Sequence, residues 1–383
     1  MESMKKPAIR FKGFTEDWEQ RKVGDYLIES RIKGNTGRDA RKLTVKLWGK
    51  GVVEKNDFGG SEHTQYYVRR KGQFIYSKLD FLNSAFGVIP KNLDNYESTA
   101  DLPAFDLNGM NPYFMFFTAI QKSFYFKYGS IADGSRKAKR IHANTFLDMP
   151  VMVPTMEEQT LIVECLQSLD HLITLHQRKY EKLQNMKKAC LEKMFPKNGS
   201  NVPEIRFKGF TEAWEQRKVS DIAPLQRGFD LSTTNMKAGK YPVVMSNGIG
   251  GYHSKYKAKG PGVVTGRSGT IGRLHYIKDD YWPHNTALWV TSFKGNHPKF
   301  VYYLYQQLGL ERFGSGSGVP TLNRNDVHDA IVPVPHAEEQ AQIAACFSQL
   351  DHLITLHQRE LEKLQNIKKS MLEKMFVSEK KEK

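Results

Sequence analysis

The sequence predicts a mixed α/β protein in which two globular heads are separated by an antiparallel coiled coil of two long helices, with pseudo-twofold symmetry. Three observations predict it. A short segment is written twice, a longer segment with helical periodicity is also written twice, and the stretches enclosed by these repeats combine short β-rich runs with a helix start.

The short segment, IRFKGFTEDWEQRKV over Ile9–Val23, returns as IRFKGFTEAWEQRKV over Ile205–Val219, differing only at Asp17 against Ala213. The long one, Val153–Phe195, returns as Val334–Phe376 with 29 identities in 43 positions. The offsets are 205 − 9 = 196 and 334 − 153 = 181, so the enclosed segment is 15 residues shorter in the second half. Constant frames therefore enclose two inserts, Gly24–Met152 and Ser220–Pro333, that share little sequence. Their ends still align, Ile141, Asn144, Phe146 and Asp148 against Leu322, Asn325, Val327 and Asp329, which predicts one fold carrying two different surfaces. The expected boundaries are a first head at 1–152, a first spacer helix at 153–196, a second head at 197–333, and a second spacer helix with a basic tail at 334–383.

Within the long repeat, apolar side chains recur at Ile162, Cys165, Leu166, Leu169, Leu172, Ile173, Leu183, Met186 and Cys190, a heptad stripe widened by one position. Thr155 with Glu158 three residues on reads as a capping box, and Pro196 as the stop after Phe195. In the copy His336 replaces Thr155, so that helix is expected to start less sharply. A helix of about 38 residues rising 1.5 Å each is ~57 Å long. Alone it would expose its apolar stripe, whereas two copies in one chain can cover each other, and the return to the frame after each favours an antiparallel pair. His176 and His357 interrupt the stripe and are expected to fix register as buried polar residues. A metal role is disfavoured because His171 and His176, five apart, face different sides.

Each insert carries helix and strand signals. Pro112 precedes YFMFFTAI at Tyr113–Ile120, and Pro298 precedes FVYYLYQQLGL at Phe300–Leu310. Strands are expected around Tyr67, Ile75, Val244, Val264 and Leu288. The second head is dense in glycine-rich loops that also carry cations, namely SNGIGGYHSKYKAKG, GRSGTIGR and GSGSGVPTLNRND. Glycine permits close backbone approach and cations attract phosphates, so Asn247, Lys255, Lys257, Lys259, Arg267, Ser268, Arg273, Asn323 and Arg324 are the candidate DNA contacts there. Arg267 and Asn247 are the expected base readers, since Arg pairs with guanine edges and Asn with adenine. In the first head the corresponding basic loop supplies Arg136, Lys137, Lys139 and Arg140.

The charge supports a polyanionic partner, nucleic acid first: 57 Lys and Arg against 41 Asp and Glu give a formal +16. Hydrophobic residues at 39% suffice for real cores and argue against wholesale disorder. No run approaches the ~18 apolar residues needed to cross a bilayer, and MESMKKPAIRFKGF lacks a secretory stretch, so a cytoplasmic protein without membrane association is expected. Cys165, Cys190 and Cys346 show no metal-ligand spacing and read as reduced core residues.

Signals for covalent chemistry are lacking. Asn111-Pro112-Tyr113-Phe114 looks like an amino-methyltransferase signature without its second proline. It aligns with His297-Pro298-Lys299-Phe300, so a helix start is the better reading. GRSGTIG lacks G-x-G-x-x-G spacing, and no phosphate-binding G-x-x-x-x-G-K-[ST] element or zinc spacing is present. Three classes remain: a non-catalytic DNA-recognition chain, a self-sufficient DNA methyltransferase or nuclease, and a coiled-coil scaffold without sequence readout.

The chain resembles the specificity subunits of bacterial Type I restriction-modification systems over essentially its whole length. The elements that carry this are the proline-led Glu157-Glu158-Gln159 and Glu338-Glu339-Gln340, the LDHLI helices, and the GSGSGVPTLN loop from Gly314. The first head departs from that loop, reading ADGSRKAKRIHAN. The resemblance implies two target recognition domains, each reading half of a split double-stranded DNA sequence. It also implies two modification subunits that methylate adenine with S-adenosylmethionine, two restriction subunits that use ATP and Mg, and neither cofactor, metal nor catalytic residue in this chain.

Overall fold

The computed structural model describes residues 6–377 apart from 38, 57–60, 131–139, 198 and 317–319. It divides into two compact units, residues 1–175 with 361–383, and residues 176–360. In the first unit lie helices α1 (Pro112–Ala119), α2 (Lys122–Gly129), α3 (Ala143–Leu147) and the first half of α4 (Met156–Lys193). The second holds α5 (Val219–Ile222), α6 (Pro298–Leu308), α7 (Arg324–Asp329) and the first part of α8 (Ala337–Lys374). Each long helix thus begins in one unit and ends in the other.

The inserts do share a plan. In the first unit a four-stranded antiparallel sheet runs, in spatial order, Leu27–Ser30, Ala104–Leu107, Phe74–Tyr76, Phe86–Val88. In the second the order is Leu225–Arg227, Ala287–Val290, Gly262–Gly266, Leu274–Ile277, so both sheets follow first-fourth-second-third. All five expected strands form. Helices α1 and α6 begin at the expected prolines, and Asn111 and His297 cap them by accepting from the Tyr113 and Phe300 amides. The methyltransferase look-alike is a helix start.

The repeated frame closes each unit the same way. Its strand Glu19–Lys22 pairs antiparallel with Pro150–Val153, and Glu215–Lys218 pairs with Ile331–Val334. Trp18 is buried against Phe114 of α1 and Phe376, just past α8, with ring centroids 5.7 and 6.3 Å away. Trp214 sits against Phe300 of α6 and Phe195, just past α4, at 6.2 and 5.9 Å. The Ile9 amide donates to the Lys374 carbonyl, and the Ile205 amide to the Lys193 carbonyl. Each frame copy therefore grips the start of its own long helix and the end of the other, and buried aromatic area of this kind is the main source of cohesion.

Inside each unit the two long helices run antiparallel. In the first, Cys165 faces Met371 at 3.8 Å and Lys368 pairs with Asp170. In the second, Lys187 pairs with Asp351 at 2.6 Å, and the Nδ1 atoms of His176 and His357 lie 3.1 Å apart. That histidine pair is half-buried, so it bridges the helices at a partly wetted position and not a fully enclosed one. The three cysteines are free and half-buried.

Several expectations about these helices are corrected. Leu172 and Met186 are exposed, at 41% and 42%, because two helices cover a narrower seam than the nine-position stripe. Both helices start at equivalent positions, Met156 and Ala337, so loss of the capping threonine does not delay α8; His336 instead lies 3.3 Å from Glu212. Only half of the capping box exists: the Glu158 amide reaches Thr155 Oγ1 at 3.4 Å, while the Glu158 carboxylate turns to Arg10. Helix α4 ends at Lys193, two residues before the expected stop, with Phe195 released into the core.

Candidate nucleic-acid interface

In the second unit, three glycine-bearing loops are tied together by backbone hydrogen bonds. Arg267 is clamped from both sides, its amide donating to the Thr286 carbonyl at 2.9 Å and its carbonyl accepting from Leu322 at 2.7 Å. The Ser246 amide donates to Thr286 Oγ1 at 3.3 Å, Gly269 donates to the Pro320 carbonyl, and Ser268 bridges Thr321. Gly266 makes the turn possible, since a Cβ there would stand 1.7 Å from the Thr270 carbonyl oxygen. His284 buttresses the same point, one ring nitrogen 3.0 Å from Thr286 Oγ1 and the other 3.1 Å from the Leu231 carbonyl.

This scaffold brings together the loops that carry Asn247, Arg267, Ser268, Arg273, Asn323 and Arg324. Asn247 is exposed on the turn between strands Tyr241–Met245 and Gly248–His253, Arg273 is exposed, and Arg267 and Ser268 are half-buried. Asn323 spends its side-chain oxygen capping α7, where it accepts from the Asn325 amide, so its amide group is what remains for a ligand. The lysine loop joins the same segment further along. Lys257 and Ala258 donate their amides to the Tyr281 carbonyl, and Lys257 Nζ lies over the rings of Phe229 and Trp282 at 5.5 and 5.4 Å. Lys255 and Lys259 are exposed beside it.

The cations of these loops lack carboxylate partners. Among the described residues, no carboxylate pairs with Arg267, Arg273, Arg324, Lys255, Lys257 or Lys259; in the frame, Arg10, Arg21, Lys22, Arg206 and Lys218 have carboxylate partners, while Lys12, Lys208 and Arg217 do not. A cation left without a protein partner on a rigid loop is a cation available to phosphate. Beneath the loops, burial depresses the His275 pKa, with nearby Arg273 adding to the effect, so this ring stays neutral at pH 7.

In the first unit, Arg136, Lys137 and Lys139 lie outside the described residues. Arg140 is exposed and stands 3.6 Å from Asp101. Sequence reasoning missed Thr286 and His284, which hold the loops from beneath through hydrogen bonds. It also missed Arg69, a fully buried guanidinium bonded to Ser98 Oγ and the Ser30 and Leu102 carbonyls, its pKa lowered to about 10 by burial. Its lack of a nearby sequence partner left no signal. No described helix is long and apolar enough to cross a membrane.

Comparison with known proteins agrees with this geometry. The Type I restriction modification DNA specificity domain matches twice, over residues 15–185 and 211–366. Two Methanocaldococcus jannaschii proteins are similar: the Type I restriction enzyme MjaVIII specificity subunit, 24% identical over 59% of this chain and 61% of its own length, and the putative type I restriction enzyme MjaX specificity subunit, 22% identical over 93% and 92%. The crystal structure of the Type-I restriction-modification system S subunit from M. genitalium shares the fold, with a TM-score of 0.66 at 14% identity over 98% of this chain and 100% of that one. With two matched domains, each built on one copy of the repeat, the chain belongs to the Type I restriction-modification DNA specificity family.

Proposed function

We propose that this chain reads a two-part DNA sequence, one part with each insert, for a Type I restriction-modification complex whose modification and restriction subunits perform the covalent chemistry. The observation that carries this reading is the set of cations without carboxylate partners, among the described residues, on glycine-bearing loops that are hydrogen-bonded to one another. Phosphates would neutralise Lys255, Lys257, Lys259, Arg273 and Arg324, while Arg267 and Asn247 would face base edges. S-adenosylmethionine, ATP and Mg belong, in this proposal, to two modification and two restriction subunits. The duplicated frame supports a pair of equivalent docking surfaces for two copies of one partner. The chain acts in the cytoplasm, where its DNA substrate and partners reside.

The test is an insert exchange. Replacing Gly24–Met152 with another such insert should alter only one half of the methylated sequence, read by genome-wide methylation sequencing after co-expression with the modification subunit. Alteration of both halves, or of neither, would refute the division of labour.

A further inference from the structure

We infer that the hairpin tip Lys46–Gly51 of the first unit is a DNA contact in which Trp48 packs against bases while Lys46 and Lys50 lie on flanking phosphates. This rests on the reading above that the inserts bind DNA, and it names a contact that the basic loops do not include.

The hairpin is built from strands Leu43–Val45 and Val52–Glu54. Of the five tryptophans, Trp18, Trp214 and Trp282 are buried and Trp289 is partly buried, whereas Trp48 is 60% exposed. Its neighbour Leu47 is also exposed, as are Lys46 and Lys50. Among the described residues neither lysine pairs with a carboxylate, so this apolar tip is flanked by unneutralised positive charge. An aromatic wedge between two cations fits a polyanion with stackable bases better than it fits an apolar protein surface.

The tip is held in place. Trp48 has φ of +61°, a left-handed conformation unfavourable for a bulky residue. It is kept there because its amide and that of Gly49 donate to the Asn83 and Ser84 carbonyls, each at 2.8 Å, while Lys46 closes the turn onto Gly51. A backbone forced into such a conformation to present a solvent-exposed indole is a feature of sites that meet a ligand. The same supporting segment also holds the chain beside Arg140, because the Ile141 amide donates to the Lys78 carbonyl. Hairpin tip and Arg140 thus share one scaffold.

The test uses the full chain assembled with its modification subunit, after methylation sequencing has identified the motif. A duplex of about 30 base pairs carrying that motif, and a scrambled one, are titrated into wild-type, W48F and W48A complexes, following affinity and tryptophan emission. Trp48→Ala should weaken motif binding about tenfold or more, equivalent to about 1.4 kcal/mol, and W48F should recover part of it. Wild-type emission should be quenched by the motif duplex, and the difference should vanish in W48F. A K46A/K50A variant, which leaves the core untouched, should lower the salt dependence of binding by a slope of about 2. Unchanged affinity in W48A with unchanged quenching in W48F overturns the proposal. So does loss of the modification subunit from the W48A complex with DNA affinity per assembled complex preserved, which would mark the tip as a protein contact. A wild-type complex unable to distinguish motif from scrambled duplex would overturn the underlying reading, and it is recognised without any Trp48 variant.

Discussion

Removing the Glu158 carboxylate should cost the first unit about 3 kcal/mol, and removing its counterpart Glu339 should cost the second unit about 1 kcal/mol more. Glu158 is fully buried and accepts two hydrogen bonds from Arg10, at 2.6 and 2.7 Å. Truncating one member of such a pair strands the other charge in a poorly solvated place, a loss of about 3–5 kcal/mol. The Arg10 side chain is 13% exposed and can partly rehydrate, which places the cost at the lower end. In the second unit, Arg206 makes the same two bonds at 2.8 Å, and Glu339 also accepts from the Trp214 indole at 3.2 Å. The equivalent Trp18 nitrogen has no partner among the described residues. Glu339→Ala therefore orphans one more buried donor, worth about 1 kcal/mol.

Hydrogen exchange read on peptides from the first turns of α4 and α8 reports the two openings separately in one molecule. A double-mutant cycle of R10A and E158A should give a coupling of about 2–3 kcal/mol. Equal losses at the two glutamates, or a coupling below about 0.5 kcal/mol, would mean that these pairs behave as solvent-screened surface bridges, and the assignment of the frame as a clamp would fail.

Arg324→Ala should reduce the slope of log affinity against log salt by about 1 across all sequences, whereas Arg267→Ala should relax discrimination at one base position, with a cost of about 1–3 kcal/mol. Binding isotherms on motif and single-substituted duplexes at several salt concentrations distinguish the two, and an identical signature for both would count against the base-reading role. For the helix pair, the His357 pKa is depressed by burial, then by His176 and Lys179. A histidine whose folded pKa lies below its unfolded value of about 6.5 contributes stability that is present above that pH and lost as pH falls towards the folded value. The second unit should therefore lose stability as pH falls below about 6.5, by denaturant unfolding, and H357Q should flatten that slope; an unaltered slope would rule the pair out.

The parts of the molecule legible in the sequence were those fixed by repetition and local period. The duplicated frame gave the antiparallel helix segments, and the proline-led runs gave α1 and α6, because helix starts and strand alternation are short-range patterns. What was hidden depended on long-range pairing. Thr155 and Glu158 satisfy the capping pattern, yet the carboxylate prefers Arg10, 148 residues away, since a buried bidentate ion pair outweighs a cap on an exposed amide. Leu172 and Met186 match the stripe but fall off the seam. The gathering of Asn247, Arg267 and Arg324 around Thr286 rests on backbone bonds between three loops, and Trp48 carries no motif at all.

The frame also explains how dissimilar inserts can occupy equivalent places. In each EEQ triplet the glutamate holds the frame arginine and the glutamine holds the insert. Gln159 accepts from the Asn111 amide at 2.9 Å and donates to the Pro154 carbonyl at 3.0 Å; Gln340 accepts from His297 at 2.9 Å and donates to Pro335 at 2.9 Å. The residue so held is the cap of a helix whose first residue is proline and whose third is the phenylalanine that packs on the frame tryptophan. The position between them is free to differ, Tyr113 in one insert and Lys299 in the other. The cap need only offer an acceptor, which Asn and His both do. Apart from the insert's last strand, which pairs with the frame strand, the frame thus meets each insert through a four-residue plug: a capping side chain, Pro, a variable residue and Phe. An insert without that plug would leave the buried glutamine oxygen unpaired and a void beside the tryptophan, so it should fail to seat however stable its own sheet is.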